Sequence, residues 1–239
     1  MKAVVLAAGQ STRLSQTIAG PKQLVQIGEF TLIEHVLRTA ARCDVEEIIV
    51  VTCADNHAAL HAAVAAMQQR TRCPVVCLCS EHAALGNGAS CVDALSAADD
   101  DCLVFVSDHV LSTRTMDTVI QLFAEHRLKR LPMLACDPNV DGIFDLPDAT
   151  KVKVQANCIM QIGKDLSDYD WIDMGIFYLP HNVHADLQHA CHEGAHSLTE
   201  LVRIWLQTDR FLAVPVADAC WQDVDDIDML TVARERFAN

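Results

Sequence analysis

The sequence predicts an α/β protein: a three-layer sandwich with helices on both faces of a mostly parallel, mixed sheet. Three observations carry that expectation. Short continuous apolar runs recur through the first half, as strands buried on both faces require. Stretches of helical period alternate with them, the pattern of strand–helix–strand crossovers. Three segments rich in small, polar or acidic residues follow such runs, where open α/β sheets collect ligands.

The run Ala3-Val4-Val5-Leu6-Ala7-Ala8 ends at Gly9, as a buried strand would. Residues 31–42 put Leu32, Ile33, Val36, Leu37 and Ala40 on one helical face. A strand over 47–52, a helix over 54–69, a strand over 75–78, a helix over 89–98, a strand over 102–106 and a helix over 113–126 continue the alternation. The second half reads as more antiparallel. Residues 151–154 and 159–162 pattern as a hairpin, and 173–179 as a further strand. Helices over 185–191 and 198–208, a strand over 211–216 and a helix from about 226 complete the chain. No repeat, low-complexity tract or linker interrupts it, so residues 1–239 are read as a single domain.

Composition narrows the function classes. Apolar residues make up 51 %, yet no run reaches the roughly 18 that a membrane span needs. Lys2 precedes only a short apolar run without a cleavage site, so no secretory signal is expected and the reading is a soluble, cytoplasmic protein. The 11 cysteines, an odd number in a chain too long to need stapling, read as reduced thiols. The formal charge is −14 and the 18 Lys and Arg are scattered, which argues against a nucleic-acid partner. Such a chain binds anions only where local cations or a metal reverse the field.

The loop after the first run meets that requirement. Gly9 permits close backbone approach, Gln10, Ser11 and Thr12 offer amides and hydroxyls, and Arg13 and Lys22 bracket the loop as two cations. Composition alone suits a phosphate-binding turn and a solvated surface loop equally. The whole string decides. Leu6-Ala7-Ala8-Gly9, Arg13 and Pro21-Lys22 resemble the LAAGxGxR…PK signature of the nucleotidyltransferase superfamily, with Ser11 in place of the second glycine. Further segments follow in order: GNGAS (86–90), SDHV (107–110), DATKVKV (148–154), IGKDL (162–166), YDWIDMGIFYL (169–179) and WQDVDD (221–226). Together they resemble the cytidylyltransferases acting on inositol 1-phosphate, including the soluble half of bifunctional inositol-phospholipid precursor enzymes. The likeness runs from Met1 to about Arg234, and Asp148 stands where that branch usually carries glutamate.

That resemblance implies a GT-A-like, Rossmann-like nucleotidyltransferase fold, with residues 1–112 as a nucleotide-binding half and 113–239 as an acceptor-binding half. It implies transfer of CMP from CTP to a small phosphorylated polyol with release of pyrophosphate, assisted by Mg2+. Leu6, Ala7, Ala8, Gly9, Gln10, Ser11 and Thr12 would hold the nucleotide. Lys22 would sit at the α-phosphate and Arg13 at the β- and γ-phosphates. Asn87, Gly88 and Ser90 would read the base, Asn87 serving equally as a helix cap. Asp108 would bind the metal with Asp223 or Asp225, both of which stay open, while another acid of that segment caps the last helix. Lys151 is the third catalytic candidate, and Lys153 and Asp173 would face the acceptor. Exposed strand lysines and a structural aspartate are the plainer readings of those three, and Lys164-Asp165 reads as a surface turn. Another NTP or acceptor (phosphocholine, aminoethylphosphonate, a sugar 1-phosphate) is the alternative reaction, and a non-catalytic nucleotide-binding module the alternative class. A homodimer is compatible with the sequence.

Two motifs are decoys. His192-Glu193-Gly194-Ala195-His196 matches HExxH, but a central glycine opposes the helix that motif needs, and Ser197 with Glu200 forms a capping box for the next helix. Cys73, Cys77 and Cys79 lack a second pair at structural-zinc spacing.

Overall fold

The computed structural model describes residues 1–9, 13–14, 17–68, 71 and 73–237. In chain order these form β1 (Lys2–Leu6), β2 (Gln26–Ile27), β3 (Phe30–Thr31), α1 (Leu32–Ala40), β4 (Ile48–Thr52), α2 (His57–Met67), β5 (Val75–Cys79), α3 (Asn87–Ala98), β6 (Cys102–Val106), β7 (His109–Leu111) and α4 (Thr113–His126). The remainder comprises β8 (Met133–Asp137), β9 (Lys151–Gln155), β10 (Cys158–Gly163), β11 (Trp171–Leu179), α5 (His184–His192), α6 (Leu198–Trp205), β12 (Leu212–Pro215), β13 (Trp221–Asp223) and α7 (Ile227–Phe237).

The main sheet runs β5-β4-β1-β6-β11-β8-β12-β10-β9, with β9 also pairing to β11. Strands β5, β4, β1 and β6 are mutually parallel, and β11 enters antiparallel between β6 and β8. Side chains of β1 alternate between two cores, as a strand's period of two demands. Ala3 and Val5 pack with Ile33 and Val36 of α1, Leu60 of α2 and Met116 of α4. Val4 and Leu6 pack with Leu95 of α3, Leu187 of α5 and Leu201 of α6. These are the three expected layers.

A third, smaller core joins Leu14, Val25 and Ile27 of the N-terminal segment to Leu32 of α1, Val110 of β7, Val224 just after β13 and Leu230 of α7. It clamps the loop after β1 against the chain's last segment, 200 residues away in sequence. Strand β8 has no counterpart in the sequence reading. Its five residues, bounded by Pro132 and Pro138, are too short for periodicity to single out, yet they lie between β11 and β12. The HExxH decoy resolves as expected: α5 ends at His192, Gly194 has φ +105°, and Ser197 and Glu200 form both halves of a capping box. All 11 cysteines are free thiols. Among the described residues, no helix is long and apolar enough to cross a membrane.

Candidate active site

Strand order reverses direction at β1, whose neighbours β4 and β6 lead away on opposite sides, and the carboxyl ends of β1 and β6 open together. Such a switch point is where open α/β sheets bind ligands. From β1 the chain passes through Gly9, where an added Cβ would meet nothing within 4 Å, to a short helical turn carrying Lys22. From β6 it turns at Ser107-Asp108 into β7. Strand β7 pairs antiparallel with β13, setting Asp223 opposite His109, and the amide of Val224 donates to the Asp108 carbonyl at 3.0 Å. The last segment is thereby sewn onto the end of β6.

Lys22, only 7 % exposed, donates from Nζ to Asp108 Oδ2 at 2.8 Å and to Asp225 Oδ1 at 2.5 Å. Burial opposes its charge, but Asp108 and Asp225 outweigh burial and raise the ammonium's pKa. Asp225 also accepts from Arg13 at 3.2 Å; Arg13 in turn reaches Asp148, which takes Lys164 at 2.8 Å. The acids and bases form one chain, Asp108–Lys22–Asp225–Arg13–Asp148–Lys164, linking residues far apart in sequence.

Asp108 and Asp223 have opposite electrostatics. Burial would raise Asp108, but Lys22 and His109 hold it down to about 2. Burial pushes Asp223 up to about 7; Asp108 and Asp225 add to the rise against the opposing pull of His109 and Lys22. Asp223 Oδ1 is buried and has no hydrogen-bond partner. It lies 3.9 Å from His109 Nε2, which is also 3.9 Å from Asp108 Oδ1. Ligand atoms of these three residues lie within 4.8 Å of one another. An orphaned carboxylate oxygen beside a second carboxylate and an imidazole suits a divalent cation, which would supply the missing partner.

The sequence candidates divide accordingly. Lys22, Arg13, Asp108, Asp223 and Asp225 come together. Asp225 serves Lys22 and Arg13, Asp223 faces Asp108 and His109, and Asp226 caps α7 by accepting from the amides of Asp228 and Met229, both at 2.9 Å. Leu6, Ala7 and Ala8 are buried at the end of β1, and the Ala7 carbonyl accepts from Asn56 and Gln23. Gln10, Ser11 and Thr12 lie outside the described residues.

GNGAS is partly explained by packing. A Cβ on Gly86 would come within 2.5 Å of the His196 carbonyl, and one on Gly88 within 2.6 Å of Ser197. The backbone these glycines admit is that of 196–197, and Asn87 Oδ1 accepts from the amide of Leu198 at the start of α6. Ser90 is buried and donates to the Gly86 carbonyl at 3.1 Å.

Lys151 is buried, unlike the exposed strand lysine of the plainer reading; its Nζ donates to the Pro147 and Lys164 carbonyls, both at 2.8 Å. Lys153 pairs with Asp168 at 2.7 Å and Asp170 at 3.4 Å. Asp173 accepts from the Gly175 amide at 2.7 Å, and burial raises its carboxyl to about 6.

Three residues of the cluster carry no catalytic or binding role in the sequence reading, which places Lys164 in a surface turn. His109 stood inside SDHV, Trp221 at the head of WQDVDD, and Lys164 in IGKDL; their membership of those segments was the only signal. Trp221 donates to the buried Asp137 at 2.7 Å, and its ring lies 5.0 Å from that of His109. Beyond them opens a recess lined by His109, Asp145, Asp148, Trp221, Gln222 and Asp223 among others.

The MobA-like NTP transferase domain family matches residues 3–137, more than half of the chain. The chain belongs to that family. Relatives extend the likeness over the rest. It is 26 % identical over 236 residues to a bifunctional IPC transferase and DIPP synthase of Rubrobacter xylanophilus, covering 98 % of this chain and 51 % of that one. The enzyme of the same name from Archaeoglobus fulgidus is 28 % identical over 227 residues, covering 94 % and 41 %. The chain thus spans about half the length of these relatives or less. Among solved structures, the inositol-1-phosphate CTP transferase from T. maritima superposes with a TM-score of 0.79 at 20 % identity, covering 100 % of this chain and 98 % of that one. A UTP-bound UGPase from Acinetobacter baumannii gives 0.75 at 18 % identity, covering 98 % and 92 %. The fold is that of these nucleotidyltransferases.

Proposed function

We propose that this nucleotidyltransferase transfers CMP from CTP to a small phosphorylated polyol, inositol 1-phosphate being the first candidate, and releases pyrophosphate. The observation that carries the reading is Lys22 buried between Asp108 and Asp225 at the mouth of β1 and β6, beside the orphaned oxygen of Asp223. An oxygen of the acceptor phosphate attacks the α-phosphorus, a new P–O bond forms, and the bond to the β-phosphate oxygen breaks. Both reactants are anions, so catalysis rests on positioning and charge neutralisation.

Lys22 neutralises the α-phosphate and Arg13 the departing phosphates, each exchanging a carboxylate partner for a phosphate oxygen. Asp108 and Asp223 would hold the divalent ion, with Mg2+ the expected species, and Asp225 positions the two cations. A bound ion would screen phosphate charge and orient the α-phosphoryl group. Asn87, Gly88, Ser90 and the Ala8–Gly9 backbone border the nucleotide. The acceptor occupies the recess beside Trp221, where Asp145 and Asp148 suit hydroxyl groups and Lys164 supplies a cation at the Asp148 edge. Lys151 holds the segments bearing Asp148 and Lys164 together. A screen of pyrophosphate release crossing the common NTPs with inositol phosphate, phosphocholine, aminoethylphosphonate and sugar 1-phosphates tests the reading. CTP with the inositol phosphate should turn over fastest; CTP inert with every acceptor while UTP or GTP reacts would refute the cytidylyl assignment.

A further inference from the structure

His109 is held more firmly than a bystander requires. Its Nδ1 lies 2.8 Å from the carbonyl of Met174, so the proton sits on Nδ1 and the Nε2 lone pair of the neutral ring points the other way. One side of the ring rests on Trp221, itself fixed through Asp137. On another side stands Gly175, with φ +70°, where an added Cβ would come within 2.8 Å of His109 Nδ1. Strand β11 shifts register between Asp173 and Phe177, around this glycine, and the irregularity turns the Met174 carbonyl to the imidazole. Three neighbours, the Met174 carbonyl, the Trp221 ring and Gly175, therefore fix the direction of Nε2.

That direction is toward Asp108 Oδ1 and the unpartnered Asp223 Oδ1, each 3.9 Å away. These distances are too long for hydrogen bonds and fit two ligands separated by a shared ion. Asp108 gives its other oxygen, Oδ2, to Lys22, so Oδ1 remains available. A metal-binding histidine characteristically donates its second nitrogen to a backbone carbonyl or carboxylate, which fixes tautomer and orientation. The Met174 contact has that form.

We infer that His109 Nε2 is a direct ligand of the divalent cation, completing with Asp108 and Asp223 a site of one nitrogen and two carboxylates that binds Mn2+ more tightly than Mg2+. The inference rests on the proposed metal site and adds its third ligand and its selectivity. Imidazole favours first-row transition ions over Mg2+, which prefers oxygen and retains water. Because all three ligands belong to the chain, binding does not require nucleotide.

Electron spin-echo spectroscopy of the full chain loaded with Mn2+ alone reads the ligand directly. The unaltered protein should show the modulation of a directly bound imidazole nitrogen, changing on incorporation of 15N-histidine, a control that needs no substitution. In His109→Gln the nitrogen signal should vanish while Mn2+ still binds, and the preference for Mn2+ over Mg2+ should fall about tenfold or more. Mn2+ bound by the unaltered protein without nitrogen modulation would overturn the inference and leave the metal site standing. A nitrogen signal that survives in His109→Gln would overturn it too. Absence of Mn2+ binding in all forms would overturn the metal site itself.

Discussion

Lys22 and Lys151 are almost equally hidden, at 7 % and 6 % exposure, yet they are held by opposite means. Lys22 lies between two carboxylates of separate segments, Asp108 and Asp225, at the open end of the sheet. Lys151 is held by two backbone carbonyls, those of Pro147 and Lys164. A carboxylate pair can release an ammonium to an incoming phosphate and receive another cation in exchange. Carbonyls already fixed by the chain have no such second use. On the proposed mechanism, burial alone does not mark a catalytic lysine; the identity of its partners does.

The sharpest way to break this contrast is to remove each ammonium. Lys22→Gln should lower turnover about a hundredfold or more, the scale for one preorganised electrostatic contact, in a protein whose circular dichroism shows it folded. Lys151→Met should act first on stability. Two inward carbonyls lose their donor, at a cost of about 1–3 kcal/mol, and each kcal/mol lowers Tm by about 2–4 °C. Equal losses of rate with no loss of Tm in Lys151→Met would place that lysine at the reacting phosphates instead.

The same contrast holds between glycines. Gly88→Ala should destabilise by about 1–3 kcal/mol because the new methyl meets Ser197.

Asp223 extends the comparison to the acids. Burial pushes its carboxyl up to about 7 in the folded chain from the ordinary 3.8, so between those values the folded state holds a proton that the unfolded state has lost. Stability of the metal-free protein should then fall as pH rises from about 4 to 7. Asp223→Asn should be the more stable form at pH 8, with the difference shrinking toward pH 4 in urea titrations.

Gly9→Ala marks the small end of the scale. Its methyl enters open space, so stability should stay within about 0.5 kcal/mol while KM for the nucleotide rises.

What the sequence made legible follows the range of the forces involved. Strands β1, β4 and β6 are continuous apolar runs, and α4 carries its own N-cap at Ser112; both signals are local. Strands β7 and β13 are three residues each and exist through pairing with one another across 110 residues, which no period reveals. For the same reason Asp223, Asp225 and Asp226 were indistinguishable as letters. The β7–β13 ladder aims Asp223 at His109, the small core around Val224 presents Asp225 to Lys22, and Asp226 turns to the α7 amides. GNGAS was legible as a close approach of backbone, but the approaching partner, 196–197, is a tertiary fact.

Labelled CTP tests nucleotidyl transfer at the Lys22 centre most directly. With 32P at the α-position and inositol 1-phosphate as acceptor, the label should appear in a CDP-linked product and be absent from pyrophosphate. Lys22→Gln should form that product about a hundredfold more slowly or worse. Label released as CMP regardless of acceptor, or transferred at the unaltered rate by Lys22→Gln, would contradict a transferase centred on Lys22.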